Sequence, residues 1–446
     1  MRVGLLPDVA PAMTNPAYWS GKSPDPHQIL ATAREIERIN REIVKEKGCQ
    51  RHDLAAMTQM TFNGIEKARE LKEVYRARAD YFYHKLGAVY KDGKKMDYET
   101  AMRELYQPMI DNCADPHAEE SMPVLYGICT SRTNLYEFPS QQALPDDPTD
   151  PDFDLRFLTA VRMGKAVIAM GRSADGKYYH VTTGFMEGWI PGEHIAFCKH
   201  RDQWLASWQY DPDRILVVYD DKIYTEESNY APGTANKKLS MGTCLPLLDS
   251  ADWSSGSHNR AACHNYVVSM PVRQDDGTCR WEPALISQHC KVNEGYLPLT
   301  AANLAMVAFN QLGNTYGWGG MLGSNDCSGF VQDLYQCFGL KLARNTGLQK
   351  AHPVKSRDLT GMTAEEKKEV IKKLPLGSLL FFPGHVMLYL GWEGDHLYVI
   401  SATGTILADG IKSRIRGTVI STLDMGRLDG RSWLQALDTA QIPYKL

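Results

Sequence analysis

The spacing of apolar residues changes character twice along this chain, and no single repeating architecture satisfies all three patterns. Residues 28–47, QILATAREIERINREIVKEK, place apolar side chains at 29, 30, 36, 39, 43 and 44, which is helical spacing. Residues 64–90 and 97–111 are rich in Ala, Leu, Glu, Lys and Arg and also read as helices. ALPDDPTDPDFD (143–154) is a Pro/Asp loop, and after it the texture shifts to short β-like runs broken by turns. SADGKYYHV sets Asp-Gly between two candidate strands, a hairpin signal. A second β-rich block over 213–298 opens on RILVVYDDKIYT, turns at QDDGTCRW and closes at GYLPLT. Short strands at this spacing predict small barrels. From residue 300 the pattern is helix, then strand. Thr300 caps TAANLAMVAFNQLG and Gly313 stops it, while LGSLLFFPGHVMLYLG and DHLYVISATG read as strands of an antiparallel sheet. The expectation is a multidomain α+β chain: a mostly helical region over 1–120, small barrels over 121–205 and 206–299, and an α+β domain over 300–446.

Charge and composition exclude several function classes. A formal net charge of −4 gives no reason to expect nucleic acid or an anionic membrane as partner. No apolar run reaches the roughly 18 residues of a membrane span. The start, MRVGLLPDVAPAMTNPAYW, has one Arg and a short apolar run soon interrupted by Asp and Pro, a poor secretory signal. The expected location is the cytoplasm, or outside it with the leader absent from this chain. Ten cysteines in 446 residues, with no C-x-x-C, are too sparse for a disulfide scaffold and mildly favour a reducing compartment. Cys263-His264, Cys279 and His289-Cys290 invite a zinc reading, but their spacings match no finger pattern. No metal and no cofactor are expected.

The chemistry concentrates in GSNDCSGFVQDLYQCFGL (323–340). Asn325 or Asp326 can cap a helix starting near Cys327, and Phe330, Val331, Leu334, Tyr335 and Phe338 then recur at helical spacing up to Gly339. In the first turn Cys327 would feel unpaired N–H groups and the positive end of the helix dipole, which lower a thiol pKa from about 8.5 toward roughly 3.5–7.5. Ser328 and Gly329 are small and leave room for a substrate, and first-turn N–H groups can serve as oxyanion donors. The candidate base is His385 in FFPGHVMLYLG, where Pro383-Gly384 sets a turn and the His opens an alternating apolar strand. A nucleophilic Cys–His pair and a buried thiol beside a strand-edge His both fit this spacing. NTYGWGG (314–320) is a glycine-rich aromatic loop without the signature of a phosphate loop. Beside a thiolate its aromatics would wall a peptide-like substrate.

Taken in order, YGWGG (316–320), NDCSGFVQDLY (325–335), LARNTGLQ (342–349) and PGHVMLYLG (383–391) resemble the NlpC family of bacterial cell-wall cysteine peptidases. GKAVIAMGRSADGKYYHVTTGFMEGWIP resembles a bacterial SH3 domain, and MGTCLPLL…GYLPLTAANL a second. The helical N-terminus is similar to the stabilising segment of multidomain members. The resemblance implies a papain-like fold after two SH3-like barrels. It implies hydrolysis of the γ-D-glutamyl–diamino-acid bond of peptidoglycan stem peptides, so the expected partners are peptidoglycan-derived peptides. Cys327 matches the nucleophile and His385 the base. Asp326 and Ser328 flank the nucleophile as in members that take a free N-terminal L-alanine, and Tyr316 and Trp318 match the aromatic loop. Arg344, Asn345 and Gln349 match a loop usually reading Arg-Asp-Ser…Gln. Asn345 replaces the Asp there and Thr346 the Ser, which passes more of the task of holding an ammonium to Asp326. The third catalytic position falls on Ser401, whose hydroxyl would accept from imidazole Nδ1–H, while His396 lies too close to the hairpin to serve. The competing expectations are a degenerate wall-peptide binding protein and another papain-like chemistry, an amidase or acyltransferase.

Overall fold

The computed structural model describes residues 4–49, 51–249, 253, 258–408 and 410–446. Two helices dominate the first third. α1 (Ala33–Lys45) starts at a reciprocal capping box between Thr32 and Glu35, and buries Ile36, Ile39 and Ile43 on one stripe. α2 (Gly64–Tyr81) is capped by Asn63 and runs on into a π-helical turn at Phe82–Leu86. These helices go to different places. The α1 stripe joins the core that holds Cys327, whereas Leu71, Tyr75 and Ala79 of α2 pack with Phe138, Tyr178 and Trp189 of the β region that follows.

That region is one seven-stranded antiparallel sheet. Its strands are β1 (Leu125–Cys129), β2 (Thr133–Tyr136), β3 (Phe157–Val161), β4 (Ala166–Arg172), β5 (Tyr178–Thr182), β6 (Glu187–Pro191) and β7 (Ile195–Phe197), in the order β7-β1-β4-β5-β6-β2-β3. The Asp-Gly signal does form the β4–β5 hairpin, with Gly176 at φ +70°, where L side chains rarely sit. The next block gathers Ile215–Val218, Cys244–Pro246 and Val292–Glu294 into a three-stranded sheet. A hairpin of Asn265–Arg273 with Cys279–Ser287 turns at 274–278, and this block has a core of its own around Leu216, Val268 and Ile286.

The last domain packs helices on a six-stranded sheet. α3 (Ala301–Phe309) is capped by Thr300, and α4 (Cys327–Gln336) by Asp326. α5 (Thr346–Lys350) is a single short turn capped by Asn345. The strands β8 (Lys355–Asp358), β9 (Leu379–Phe382), β10 (His385–Glu393), β11 (His396–Ala408), β12 (Ile411–Thr422) and β13 (Thr439–Ile442) lie in the order β8-β13-β9-β10-β11-β12. All ten residues of α4 are buried, because the helix lies across β10 and β11 with other elements closing over its remaining faces. An α6 turn (Trp433–Ala436) closes the far side of the sheet. The N-terminal segment also belongs to this domain. Trp19 is 1% exposed and packs on Tyr398 of β11 at 5.0 Å between ring centroids, and the Tyr398 hydroxyl donates to the Asp8 carbonyl at 2.7 Å.

Candidate active site

Asp326 starts the nucleophile helix. Its Oδ1 accepts from the Gly329 amide at 2.7 Å, the capping bond that orients the first turn and with it Cys327. The thiol lies 3.8 Å from the Thr346 hydroxyl and faces the Val386 amide, one residue into β10. Cys327 is only 6% exposed. Burial, and then the Asp326 carboxylate, push its thiol up to about 11; the Val386 amide and Thr346 pull the other way without prevailing. The lowered pKa expected at a helix start is therefore corrected. The helix end is present, but desolvation and a neighbouring negative charge outweigh it. Ser328 does not leave open space either. Its hydroxyl donates to Asp326 Oδ1 at 3.1 Å and accepts from Arg344 Nη1 at 2.9 Å, and it is 4% exposed.

His385 opens β10 directly after a two-residue turn, with Phe382 and His385 paired across Pro383-Gly384 and Gly384 at φ +86°. Leu388 pairs with Ile400, so continuing that antiparallel register sets Ser401 diagonally across from His385 on one face. The Ser401 hydroxyl lies 3.3 Å from His385 Nε2, not from Nδ1 as expected. Nδ1 of the ring has no hydrogen bond among the described residues. Phe382 and Trp433 flank the imidazole at 5.2 and 5.5 Å between ring centroids. Burial, and then the charge of Arg427, push His385 down to about 4. Both shifts favour the neutral form, of the thiol and of the imidazole. His396 is elsewhere, bonded through Nδ1 to Asp424 Oδ2 at 2.6 Å.

Three comparisons with known proteins bear on this arrangement. Residues 313–420 match the model of the NlpC/P60 family, and residues 144–191 match that of an SH3 domain of SH3b1 type. The C-terminal domain is an NlpC/P60 domain. It is similar to a dipeptidyl-peptidase 6 of Lysinibacillus sphaericus, 35% identical over 104 residues, which are 23% of this chain and 32% of that protein. The chain thus spans about a third of that relative. Among solved structures, an NlpC/P60 endopeptidase of Photobacterium damselae subsp. piscicida is 18% identical, with a TM-score of 0.73 over 96% of this chain and 97% of that one. At that identity the likeness concerns the fold. The family is one of cysteine peptidases.

The NlpC/P60 domain uses its remaining candidate residues largely as framework. Arg344 donates from Nη1 to Asp326 Oδ1 at 3.0 Å and from Nη2 to Oδ2 at 2.7 Å, and Gly319 N donates to Oδ2 at 3.2 Å. Burial raises the Asp326 carboxyl, but Arg344 and the Gly329 and Ser328 bonds hold it below its usual value. Five donors surround it, so it has little capacity left for a substrate ammonium, contrary to expectation. Asn345 Oδ1 accepts from Leu348 N at 2.9 Å as the α5 cap. Gln349, fully buried, donates to the Ser328 and Ala343 carbonyls at 3.0 and 2.9 Å and so braces α4.

Trp318 lies on the wall facing the SH3 sheet, whereas Tyr316 packs on the core that holds Cys327. Trp318 packs on Phe153 at 4.5 Å. Gly319 and Gly320 take φ +53° and +85°, and strand β3 lies directly against them. A Cβ at Gly319 would sit 2.3 Å from the Phe157 carbonyl, and one at Gly320 2.5 Å from the Ala160 Cβ. Arg132 fastens the loop through the Gly320 and Ser324 carbonyls at 3.1 and 2.7 Å, while the Thr159 hydroxyl on β3 bonds Arg344 Nε. Sequence reasoning missed Trp433, Arg132 and Thr159 as site residues, and named Thr346 only as a replacement in the Arg344 loop, not as a neighbour of the thiol. For Trp433 the only signal was a capping box between Ser432 and Gln435, which announces a helix start and nothing about His385.

Proposed function

We propose that this chain is a cysteine endopeptidase that hydrolyses the γ-D-glutamyl–diamino-acid bond of short peptidoglycan stem peptides with a free N-terminal L-alanine. The observation that carries the reading is the meeting of Cys327, at the start of α4, with the first residues of β10, where Ser401 engages His385 Nε2. With both shifts favouring the neutral forms, His385 Nδ1 takes the thiol proton as Cys327 Sγ attacks the carbonyl carbon. The imidazolium returns that proton to the leaving amine. Water, deprotonated by the same nitrogen, then releases the thioester. The Cys327 amide, which donates to no group among the described residues, supports the developing oxyanion.

The SH3 strand across the glycine loop walls one end of the site and suits short released peptides better than intact wall. With Asp326 saturated, the ammonium falls to the cleft that Asn345 lines, where Glu187 supplies the carboxylate, Glu70 and Glu137 being paired there with Lys67 and Arg78. A second reading, a wall-peptide binding protein with weak catalysis, draws on the long 3.3 Å contact to Ser401 and the raised Cys327 pKa. Mass spectrometry of L-Ala-γ-D-Glu-diaminopimelate separates the two. L-Ala-D-Glu should appear with the wild type and not with Cys327→Ala, and an N-acylated peptide should resist. If the wild type cleaves neither peptide, the endopeptidase reading is wrong; binding without cleavage supports the second reading.

A further inference from the structure

At the opposite end of α4 from Cys327 lies a partly open cavity of about 500 Å³, where α1, the SH3 sheet, the second β block and the C-terminal domain meet. Gln336, the last residue of α4, lines it. At 1.5 Å per residue it is roughly 13 Å along the helix from the thiol, so the cavity is separate from the peptidase site.

Cations outnumber acids in its lining: Arg41, Lys45, Arg51, Arg162, Lys165 and Lys341 against Glu37 and Asp53. Arg51, Arg162, Lys165 and Lys341 converge on it. Arg162 has an ion pair with Asp333, and Arg51 Nη1 donates to the Leu342 carbonyl at 3.1 Å. Lys165 Nζ has neither a hydrogen bond nor an ion pair among the described residues. The cavity's acids do little for these cations: Glu37 pairs with Arg41 at the rim at 2.9 Å, and Asp53 caps the Ala55 amide at 2.9 Å. Four buried polar atoms of the lining have no partner: Arg51 Nε, Arg162 Nε, Trp208 Nε1 and the Tyr210 hydroxyl. Three are N–H donors with no acceptor capacity and the fourth can donate. Orphaned buried donors are rare in folded proteins, and here they share one space. Burial, then Arg162, Lys341 and Arg51, push the Lys165 ammonium down to about 7, with only the neighbouring Cys244 opposing them.

We infer that this junction is a binding site for a multivalent oxyanion, carried on a phosphoryl or polycarboxylate group. Acceptor oxygens would satisfy the orphaned N–H groups, and the charge would relieve the mutual repulsion of the four cations. Because the lining comes from every part of the chain, the anion would also bind the parts together, independently of peptide hydrolysis.

Isothermal titration of the full chain with inorganic pyrophosphate and with citrate, against sodium chloride at matched ionic strength, tests this. Saturable binding of at least one is expected, with a rise in the unfolding midpoint that chloride does not reproduce. Pyrophosphate alone would point to a phosphoryl ligand, citrate alone to a carboxylate. Lys165→Met should weaken binding about tenfold or more, the scale of a lost charge-assisted contact. Lys341→Met, at an exposed position, should weaken it by a smaller factor and carries the comparison should Lys165→Met not fold. Near pH 7.5 wild-type binding should take up protons, read from its dependence on buffer ionisation enthalpy, because an anion raises the Lys165 pKa. No saturable binding of either anion, or unchanged binding in both variants, would overturn the assignment.

Discussion

Arg344 grips Asp326 with both ends of its guanidinium, at 3.0 and 2.7 Å, where the two residues are 4% and 7% exposed. The acid beside the nucleophile is therefore a structural anion that caps α4 and holds the Arg344 loop against it. Removing one partner of a buried pair strands the other charge, at a cost of about 3–5 kcal/mol. Arg344→Ala should lose stability on that scale in denaturant unfolding and lose activity with it. Asp326→Asn, which keeps an acceptor for Gly329 but strands the guanidinium, should also destabilise. A loss under about 1 kcal/mol in both would show that the pair is not a structural anchor.

Ser401 predicts a graded defect. A neutral hydrogen bond of 3.3 Å contributes on the order of 1 kcal/mol, so Ser401→Ala should lower kcat about fivefold to tenfold and leave KM nearly unchanged. Steady-state kinetics on the stem tripeptide would show it. A defect as complete as that of Cys327→Ala would mean that Ser401 does more than orient the ring, and an unaltered kcat would remove it from the mechanism.

Gly320 and Gly313 form a matched pair. Their φ values are +85° and +86°, but a Cβ at Gly320 meets Ala160 of the SH3 sheet while one at Gly313 meets nothing within 4 Å. Both Ala substitutions incur backbone strain of about 1–2 kcal/mol. Gly320→Ala adds overpacking of roughly 1–3 kcal/mol and should raise KM by moving the wall. Equal unfolding midpoints and equal KM values for the two variants would refute the close approach of strand and loop.

Acid should destabilise the molecule over a defined window. Burial pushes His180 and His352 down to about 3 and His385 to about 4, each below an unfolded value near 6.5. The unfolded chain therefore binds more protons than the folded one between those limits. Their contribution is intact above pH 6.5 and is lost as pH falls toward 3–4, by several kcal/mol in all. Urea unfolding at pH 7, 6, 5 and 4 would trace it; a flat profile would mean that these imidazoles are not held neutral. Activity should persist well below pH 6, because the neutral base survives there.

Local chemistry was legible and through-space chemistry was not. The Asp326 cap, the Pro383-Gly384 turn that aims His385 and the Asp-Gly hairpin follow from rules that act within a few residues. Ser401 came from the family resemblance, by carrying its third position onto the strand after the base. Asp326's bond to Arg344 spans 18 positions and Arg344's to Thr159 spans 185, so neither is visible to periodicity. The sign of the Cys327 shift depended on how deeply α4 is buried, a property of the assembled molecule.

The docking of Trp19 against Tyr398 sets an order of events for synthesis. Trp19 precedes Tyr398 in the chain, so its segment leaves a ribosome well before β11, which covers it. Until β11 appears, that indole has only near neighbours in sequence, the Tyr18 ring and the Met13 carbonyl. The elements between can mature while it waits, but the core that holds both Trp19 and Cys327 closes only when β11 reaches it.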